Sequence, residues 1–165
     1  MRYNFKKLKN NSWPVLALVA VSIIIILLGE SQPLNENIVK MSSCIDGDTA
    51  RVVLKDQEVK LRFLAVDTPE LSSKDYYARE AADYTCNRLL SAKEIVLEFD
   101  PLADEEDKFG RKLAWVFVDG ELLQEELVDK GYARVRYIYD DYKYVDRLKR
   151  LEKNARRNQI GVWAN

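Results

Sequence analysis

Apolar and polar residues alternate in five stretches of the chain between residues 38 and 118. This period of two is typical of β-strands with one buried face, and turn-forming residues such as Asp46-Gly47 separate several of the stretches. The pattern predicts strands at 38–44, 49–54, 58–65, 94–99 and 112–118.

Apolar residues at helical spacing predict three helices. These helices cover residues 77–91, 122–130 and 142–158. Gly131 follows the second helix and is suited to a left-handed C-terminal cap. The order of three strands, one helix, two strands and two helices predicts an α+β fold, mainly a small β-barrel with helices packed on it.

Residues 13–29 form an uncharged apolar segment that is preceded by the basic residues Arg2, Lys6, Lys7 and Lys9. Its seventeen residues would reach ~25 Å as a helix, near the minimum for spanning a bilayer. We expect either an uncleaved membrane anchor or a cleaved signal peptide. The basic flank predicts that the amino terminus lies in the cytoplasm and the rest of the chain outside the cell membrane or secreted. The chain then divides into a basic segment, an apolar helix, a linker and a folded domain, at 1–12, 13–29, 30–37 and 38–165.

The composition excludes several classes of chemistry. The sequence has no histidine, so mechanisms that need an imidazole base, nucleophile or metal ligand are excluded. The net charge is −1 and becomes more negative once the basic amino-terminal segment is set aside, so any contact with nucleic acid must be a local basic cleft. Cys44 and Cys86 are the only cysteines, and both a disulfide and two unpaired buried thiols are open.

Two short acidic motifs carry the candidate chemistry. They are IDGDT at 45–49 and VDTPE at 66–70. Each motif alone is also compatible with an ordinary turn. Together they supply hard oxygen ligands, which suit Ca²⁺ or Mg²⁺ and disfavour zinc and copper. The candidate ligands are Asp46, Asp48, Asp67, Glu70 and the Thr68 carbonyl.

Arg62 interrupts an apolar run, where a guanidinium needs a carboxylate or a phosphate as partner. It is therefore either a phosphate ligand or part of a structural salt bridge. Arg111 follows the loop residues 108–110 and is either a second phosphate ligand or a surface charge. Two arginines beside a metal ion would bracket a phosphodiester. Tyr137 and Tyr139 could stack on a base or form one face of a strand.

Five motifs occur in one order along the chain: IDGDT, LRFLAVDTPE, DKFGR, YARVRYIY and IGVW. In this order they resemble the thermonucleases, the staphylococcal-nuclease-like family, from about residue 38 to residue 163. The resemblance implies a five-stranded OB-fold Greek-key barrel with three helices. It also implies hydrolysis of DNA and RNA at the 5′ P–O bond, with one Ca²⁺ ion as cofactor and 3′-phosphate products.

By position, the resemblance assigns direct Ca²⁺ ligation to Asp48, Asp67 and the Thr68 carbonyl. Asp46 would assist through a water molecule. Glu70 corresponds to the residue proposed as general base in the family.

The same resemblance implies that Arg62 and Arg111 are the two phosphate-binding arginines. It assigns substrate contacts to Lys108, Phe109, Tyr137 and Tyr139. Phe109 stands where a tyrosine is usual, so we expect one hydroxyl contact to a terminal phosphate to be missing.

Two further departures concern the loops around the expected cleft. The loop at 71–77 is short, and residues 104–107 are all acidic. Because affinity for nucleic acid depends on phosphate neutralisation, we expect weak, salt-sensitive binding. The expected substrate is single-stranded or locally open DNA or RNA, bound by a monomer. The alternatives are a non-catalytic OB-fold module that binds nucleic acid or protein, and an anchored domain whose acidic surface binds a protein.

Overall fold

The computed structural model describes residues 37–164. The predicted apolar helix at 13–29 and all but the last residue of the predicted linker lie outside the described residues. Within 37–164, no helix is both long enough and apolar enough to cross a membrane.

Five of the strands between residues 37 and 164 form a closed barrel, as predicted. β1 pairs with β2 and β5, β2 pairs with β3, and β5 pairs with β6, all antiparallel. A parallel pairing of β3 with β6 closes the barrel. With three helices this is an α+β fold consistent with an OB-fold. In chain order the strands are β1 Ile38–Cys44, β2 Thr49–Leu54, β3 Gln57–Phe63, β4 Val66–Asp67, β5 Ile95–Glu98, β6 Lys112–Val118, β7 Glu121–Leu122 and β8 Arg134–Val135.

The third strand ends two residues before its predicted end. β3 stops at Phe63 because Ala65 adopts a left-handed conformation, with φ of 59°, and redirects the chain into β4. The turn is held by the Arg62 guanidinium, whose Nη1 donates to the carbonyls of Phe63 and Val66 at 3.0 and 2.7 Å. The alternation of apolar residues gave no indication of this turn.

The helices are α1 Ala78–Ser91, α2 Leu123–Asp129 and α3 Val145–Arg157, followed by a 3-10 turn at Gly161–Trp163. Gly131 caps the chain after α2 with φ of 67°, as predicted. A Cβ atom there would lie 2.3 Å from the Ile160 carbonyl oxygen, so the close packing also requires glycine. α3 begins three residues after its predicted start, and the backbone N–H of Lys143, just before the helix, donates to Asp100 Oδ2 at 2.8 Å.

The barrel interior is filled by large side chains, including Phe63, Leu61 and Leu97, each at most 1% exposed. Trp115 is also buried, but on the opposite face of β6, where its ring packs against Tyr144. A buried carboxylate, that of Asp100, is hydrogen-bonded to the Trp115 side chain. Asp100 is 5% exposed, and its Oδ2 accepts hydrogen bonds from Trp115 Nε1 at 2.9 Å and from the Lys143 N–H. Its Oδ1 accepts from the Leu102 N–H at 3.0 Å. Burial alone would raise the pKa of Asp100, but these hydrogen bonds outweigh it and lower the pKa.

We expect Asp100→Asn to lower the free energy of unfolding by about 2 kcal/mol at neutral pH, because charge-assisted bonds are lost and an amide N–H₂ faces donors. Since the folded pKa of Asp100 is lowered, its contribution is complete above about pH 4 and is lost as the pH falls through the folded pKa. Urea unfolding of both proteins at pH 7 and near pH 3 checks this. A difference that stays constant with pH would contradict it.

Candidate active site

The IDGDT loop joins β1 to β2 and is fastened to α1 at two neighbouring points. A disulfide links Cys44 at the end of β1 to Cys86 in α1, with the Cα atoms 5.6 Å apart. Next to it, Thr85 Oγ1 donates to the Gly47 carbonyl at 2.6 Å. Of the two alternatives left open by the sequence, the structure therefore has the disulfide.

Asp48 connects the two acidic motifs. It is 5% exposed, and its Oδ2 accepts from the Thr68 N–H at 2.7 Å and from Thr68 Oγ1 at 3.1 Å. Its Oδ1 accepts from Thr49 Oγ1 at 3.0 Å. The motifs pack so closely that a Cβ atom on Gly47 would lie 2.8 Å from the Thr68 side chain. Glycine at this position is therefore a packing requirement in addition to a turn preference.

Arg62 is anchored on one side and reaches both metal-ligand candidates on the other. Its side chain is 10% exposed, and Nη1 is held by the carbonyls of Phe63, at the end of β3, and Val66, at the start of β4. Its Nη2 lies 3.2 Å from Asp48 Oδ2 and 3.5 Å from Asp67 Oδ1. The salt-bridge alternative is thus present in the structure. It places the guanidinium between two carboxylates.

Negative charge is concentrated at this end of the barrel. Burial, followed by the charge of Asp48, raises the pKa of Asp46 to about 6, and the charge of Glu70 adds to the effect. Burial and Asp48 also raise the pKa of Asp67, against the opposing charge of Arg62. Carboxyl groups that resist ionisation in this way gain from a bound cation, which favours their charged form. Glu70 itself is exposed, so its carboxylate is open to solvent.

Arg111 belongs to a second cluster, ordered by an acidic residue that the sequence analysis had counted only as unfavourable charge. Asp107 Oδ2 lies 2.6 Å from Arg111 Nε, and Asp107 Oδ1 accepts the backbone N–H groups of Arg111 and Phe109 at 3.0 and 2.9 Å. Burial would raise the pKa of Asp107, but these bonds lower it. The exposed Phe109 ring lies near Lys108 Nζ and the Arg111 guanidinium, at 5.1 and 5.5 Å. Asp107 therefore sets the orientation of Arg111.

The parallel pairing of β3 and β6 relates the two arginines. Arg62 lies opposite Leu113, and Arg111 precedes Leu113 by two residues, so both arginines belong to the same end and the same face of the barrel wall. Of the two candidate tyrosines, only Tyr137 is shown to contact Arg62. The Tyr137 ring lies 5.6 Å from the Arg62 guanidinium, whereas Tyr139 is 81% exposed. They do not share a strand face, because β8 ends at residue 135 and Tyr137 has φ of 58°.

Arg136 is a site residue that the sequence analysis missed. Its Nε lies 3.7 Å from Asp67 Oδ2, and its side chain is 57% exposed. It follows β8, which pairs with β4 so that Arg134 lies opposite Asp67. The R-x-R spacing at 134–136 could have indicated two arginines on one side of a strand.

The donor atoms fit a hard cation. Residues 37–164 contain no group of three or more acidic, histidine or cysteine side chains that converges as a ready-made metal cage. Asp48 and Asp67 nevertheless contact one guanidinium nitrogen, and the backbone N–H of Thr68, which follows Asp67, donates to Asp48. Both cysteines are bonded to each other. Two carboxylates and a carbonyl leave room for water and substrate oxygens, which suits Ca²⁺ with its ~6–8 oxygen ligands.

Comparisons with known proteins agree with this geometry. The chain is 36% identical over 130 residues to endonuclease YncB of Bacillus subtilis (strain 168), covering 76% of the chain and 61% of the relative. It is 35% identical over 130 residues to SPbeta prophage-derived endonuclease YokF of the same strain, covering 44% of that relative. It is 33% identical over 164 residues to the thermonuclease of Staphylococcus hyicus, covering 90% of the chain and 95% of the relative.

The chain thus spans less than two thirds of the length of the two Bacillus endonucleases and nearly all of the Staphylococcus thermonuclease. A family model described as staphylococcal nuclease homologue matches residues 60–165, which include Arg62, the second acidic motif and Arg111. The extent of these matches establishes that the chain belongs to the family of staphylococcal nuclease homologues.

Proposed function

We propose that the protein is a Ca²⁺-dependent endonuclease that hydrolyses phosphodiester bonds of DNA and RNA at the 5′ P–O bond and leaves 3′-phosphate ends. The observation that carries the proposal is the position of the Arg62 guanidinium between Asp48 and Asp67, on the strand that pairs with the start of β6, which Arg111 directly precedes. The printed functions of the relatives, two endonucleases and a thermonuclease, support it.

Asp48, Asp67 and the Thr68 carbonyl would hold the cation. Bound there, Ca²⁺ would supply positive charge to the phosphate and lower the pKa of a coordinated water. The fixed Nη1 of Arg62 keeps the guanidinium plane in place, so its Nη2 can exchange a carboxylate oxygen for a phosphate oxygen without a change of rotamer. Charge stabilisation of this preorganised kind is the main catalytic contribution in phosphoryl transfer.

The remaining residues handle the proton and the leaving group. Glu70, exposed at the site, accepts a proton from the attacking water as the new P–O bond forms. The P–O5′ bond breaks in line with the attack, and Arg111, oriented by Asp107, stabilises the charge on the departing oxygen. That oxygen takes its proton from solvent and becomes the 5′-hydroxyl of one fragment, the phosphate remains on the 3′ end of the other fragment, and Glu70 returns its proton to solvent.

The test uses the full chain with plasmid DNA, single-stranded DNA and RNA, in Ca²⁺ or in chelator. We expect cleavage only with Ca²⁺ and products whose 3′ ends become extendable by a polymerase after phosphatase treatment. Absence of cleavage over a Ca²⁺ titration would end the proposal.

A second candidate is a non-catalytic module that binds nucleic acid or protein. The observation in its favour is that both Nη atoms of Arg62 already have protein partners, as in a structural ion pair. A mobility shift of single-stranded DNA without any product in Ca²⁺ would select this candidate. Binding that is followed by hydrolysis would exclude it.

We further propose that the protein acts on the outer side of the cell membrane or after secretion. The disulfide supports this, because such bonds form and persist in oxidising compartments. The apolar segment at 13–29 supports it as well. Cell fractionation, with mass spectrometry of the native amino terminus, distinguishes an anchor from a cleaved signal. Recovery of the protein in the cytoplasm, with free thiols, would contradict both forms.

We expect Asp107→Asn to lower kcat by roughly tenfold, because Arg111 loses the ion pair that orients it towards the leaving oxygen. Glu105→Gln is the matched control, since it removes one negative charge from the same loop and Glu105 contacts Lys112 rather than Arg111. Both variants should lower KM slightly, because the cleft becomes less acidic. Steady-state kinetics on single-stranded DNA measure both constants. An equal kcat in the two variants would contradict a positioning role for Asp107.

A further inference from the structure

Basic side chains continue away from the candidate active site along β8. Arg134 lies in β8 and Arg136 directly follows the strand. Arg136 reaches Asp67 at 3.7 Å, and both arginines oppose the rise in the pKa of Asp67. The Arg136 side chain is 57% exposed, so most of it is open to a ligand that enters the cleft.

Trp163 connects this strand with α3. Its ring lies 5.1 Å from the Arg134 guanidinium and 4.1 Å from the Arg156 guanidinium. In addition, Glu152 Oε1 accepts the Val135 N–H at 2.9 Å, and Glu152 Oε2 pairs with Arg156 at 3.2 Å. The acidic side chain of Glu152 is therefore neutralised within the protein. The flank of α3 that carries Glu152 and Arg156 faces β8.

The same flank of α3 extends the basic surface. Lys149, Lys153 and Arg156 are spaced by four and three residues, so they form one stripe, and all three are exposed. The opposite flank behaves differently. Arg147 there pairs with Glu125 of α2 at 2.6 Å, so its charge is neutralised by an ion pair within the protein.

The basic charge of this stripe contrasts with the charge of the rest of the protein. On the other side of the cleft, the acidic loop at 104–107 flanks Arg111, and its members pair with Arg111 and Lys112. The chain as a whole carries a net charge of −1. A polyanion held at Arg62 would thus be repelled by one wall and attracted along the other, from Arg136 towards α3.

We propose that this surface binds the sugar–phosphate backbone of a polynucleotide whose scissile phosphate lies at Arg62. We call it the β8–α3 basic track, and it consists of Arg134, Arg136, Lys149, Lys153 and Arg156. The proposal rests on the proposed nuclease function and adds the path of the strand beyond the cleaved bond. The stripe on α3 spans ~10 Å, enough for contact with more than one phosphate of an extended strand. Such contacts position the substrate without reading its sequence.

The test compares two double variants of the full chain, Lys149→Gln/Lys153→Gln and Lys40→Gln/Lys93→Gln. Each removes two exposed lysines and changes the net charge equally. The control lysines lie at the opposite end of the barrel. Lys40 is paired with Val53 near the β2–β3 turn, and Lys93 is bonded through its N–H to Asp119, beyond the last residue of β6.

Binding is measured in chelator with a labelled single strand of about 20 nucleotides, longer than the ~4–16 that one such fold usually covers. We expect the Lys149/Lys153 variant to bind roughly tenfold more weakly and to reduce the slope of log K against log salt by about 1 for each lysine. With Ca²⁺, its KM for this strand should rise while hydrolysis of a dinucleotide stays unchanged. The control variant should match the wild type in every measurement.

If the two variants bound the strand with equal affinity, whether at the wild-type level or equally weakened, the proposal that the β8–α3 basic track binds the strand would be overturned. This result is separable from failure of the nuclease proposal. If the wild type cleaves neither the long strand nor the dinucleotide, the proposed function fails, while a difference in binding between the two variants still supports the track. Thermal unfolding of both variants confirms that the exposed substitutions leave the fold intact.

Discussion

Replacing Arg62 by lysine should lower kcat by roughly a thousandfold while the protein remains folded. An arginine that stabilises a transferring phosphoryl group commonly contributes ~10³-fold or more. The guanidinium of Arg62 makes two sets of contacts at the same time. Its Nη1 donates to the carbonyls of Phe63 and Val66. Its Nη2 contacts Asp48 and Asp67. An ammonium group keeps the charge but has a single nitrogen, so it cannot hold the turn and a phosphate together.

The matched control is Arg51→Lys, the same change on the neighbouring strand β2. Arg51 is about half exposed and pairs with Glu58 at 3.4 Å, away from the acidic motifs. Its activity should stay within twofold of the wild type, since an exposed pair of this kind contributes at most ~1 kcal/mol to stability. Steady-state rates on single-stranded DNA in saturating Ca²⁺ give the comparison. An Arg62→Lys enzyme that retained a tenth of wild-type kcat would show that Arg62 only holds the turn.

The second large effect is expected from removing the disulfide. Cys44 and Cys86 are 42 residues apart, and closing a loop of this length stabilises the folded chain by ~4 kcal/mol in the chain-entropy treatment. Because small domains have only ~5–15 kcal/mol of total stability, the double variant Cys44→Ser/Cys86→Ser should unfold at a much lower urea concentration. Activity should also be lower than that of the wild type at urea concentrations below the unfolding transition, where the variant is still folded. The reason is that Asp46 lies two residues after Cys44 and its loop loses one of its two attachments.

The control for this prediction is chemical. Full reduction of the wild-type protein should reproduce the urea midpoint of the double serine variant, and the same reductant should leave that variant unchanged. A wild-type protein with verified free thiols and an unaltered midpoint would show that the bond stabilises neither the fold nor the loop.

The barrel could be predicted from the sequence because alternation of apolar residues and turn residues coincide at its five long strands. Errors arose where tertiary contacts override local pattern. Ala65 adopts a left-handed conformation beside the Arg62 guanidinium, and the backbone of Lys143, before α3, is held by Asp100 outside the helix. Strands of two residues, such as β4 and β8, are too short to show a period and were missed.

The convergence of Asp48, Asp67 and Arg62 could be predicted because these residues lie in two contiguous motifs and one interrupted strand. Asp107 and Arg136 could not, since their roles depend on the partners that the fold brings to them. Asp107 did have a local indication, because aspartate followed three residues later by Gly110 is typical of a turn whose first side chain binds backbone N–H groups. The disulfide stayed open because the distance between a strand end and a helix is not contained in either pattern.

The parallel contact of β3 with β6 also determines when activity can arise during refolding. Contacts between distant parts of a chain form slowly, because loop-closure entropy is lost before the contact compensates for it. An open meander of β1, β2 and β3 already holds both Arg62 and the first acidic motif but lacks Arg111. Recovery of hydrolysis after dilution from denaturant therefore reports the docking of β6, and it should lag behind the recovery of β-sheet signal from the meander.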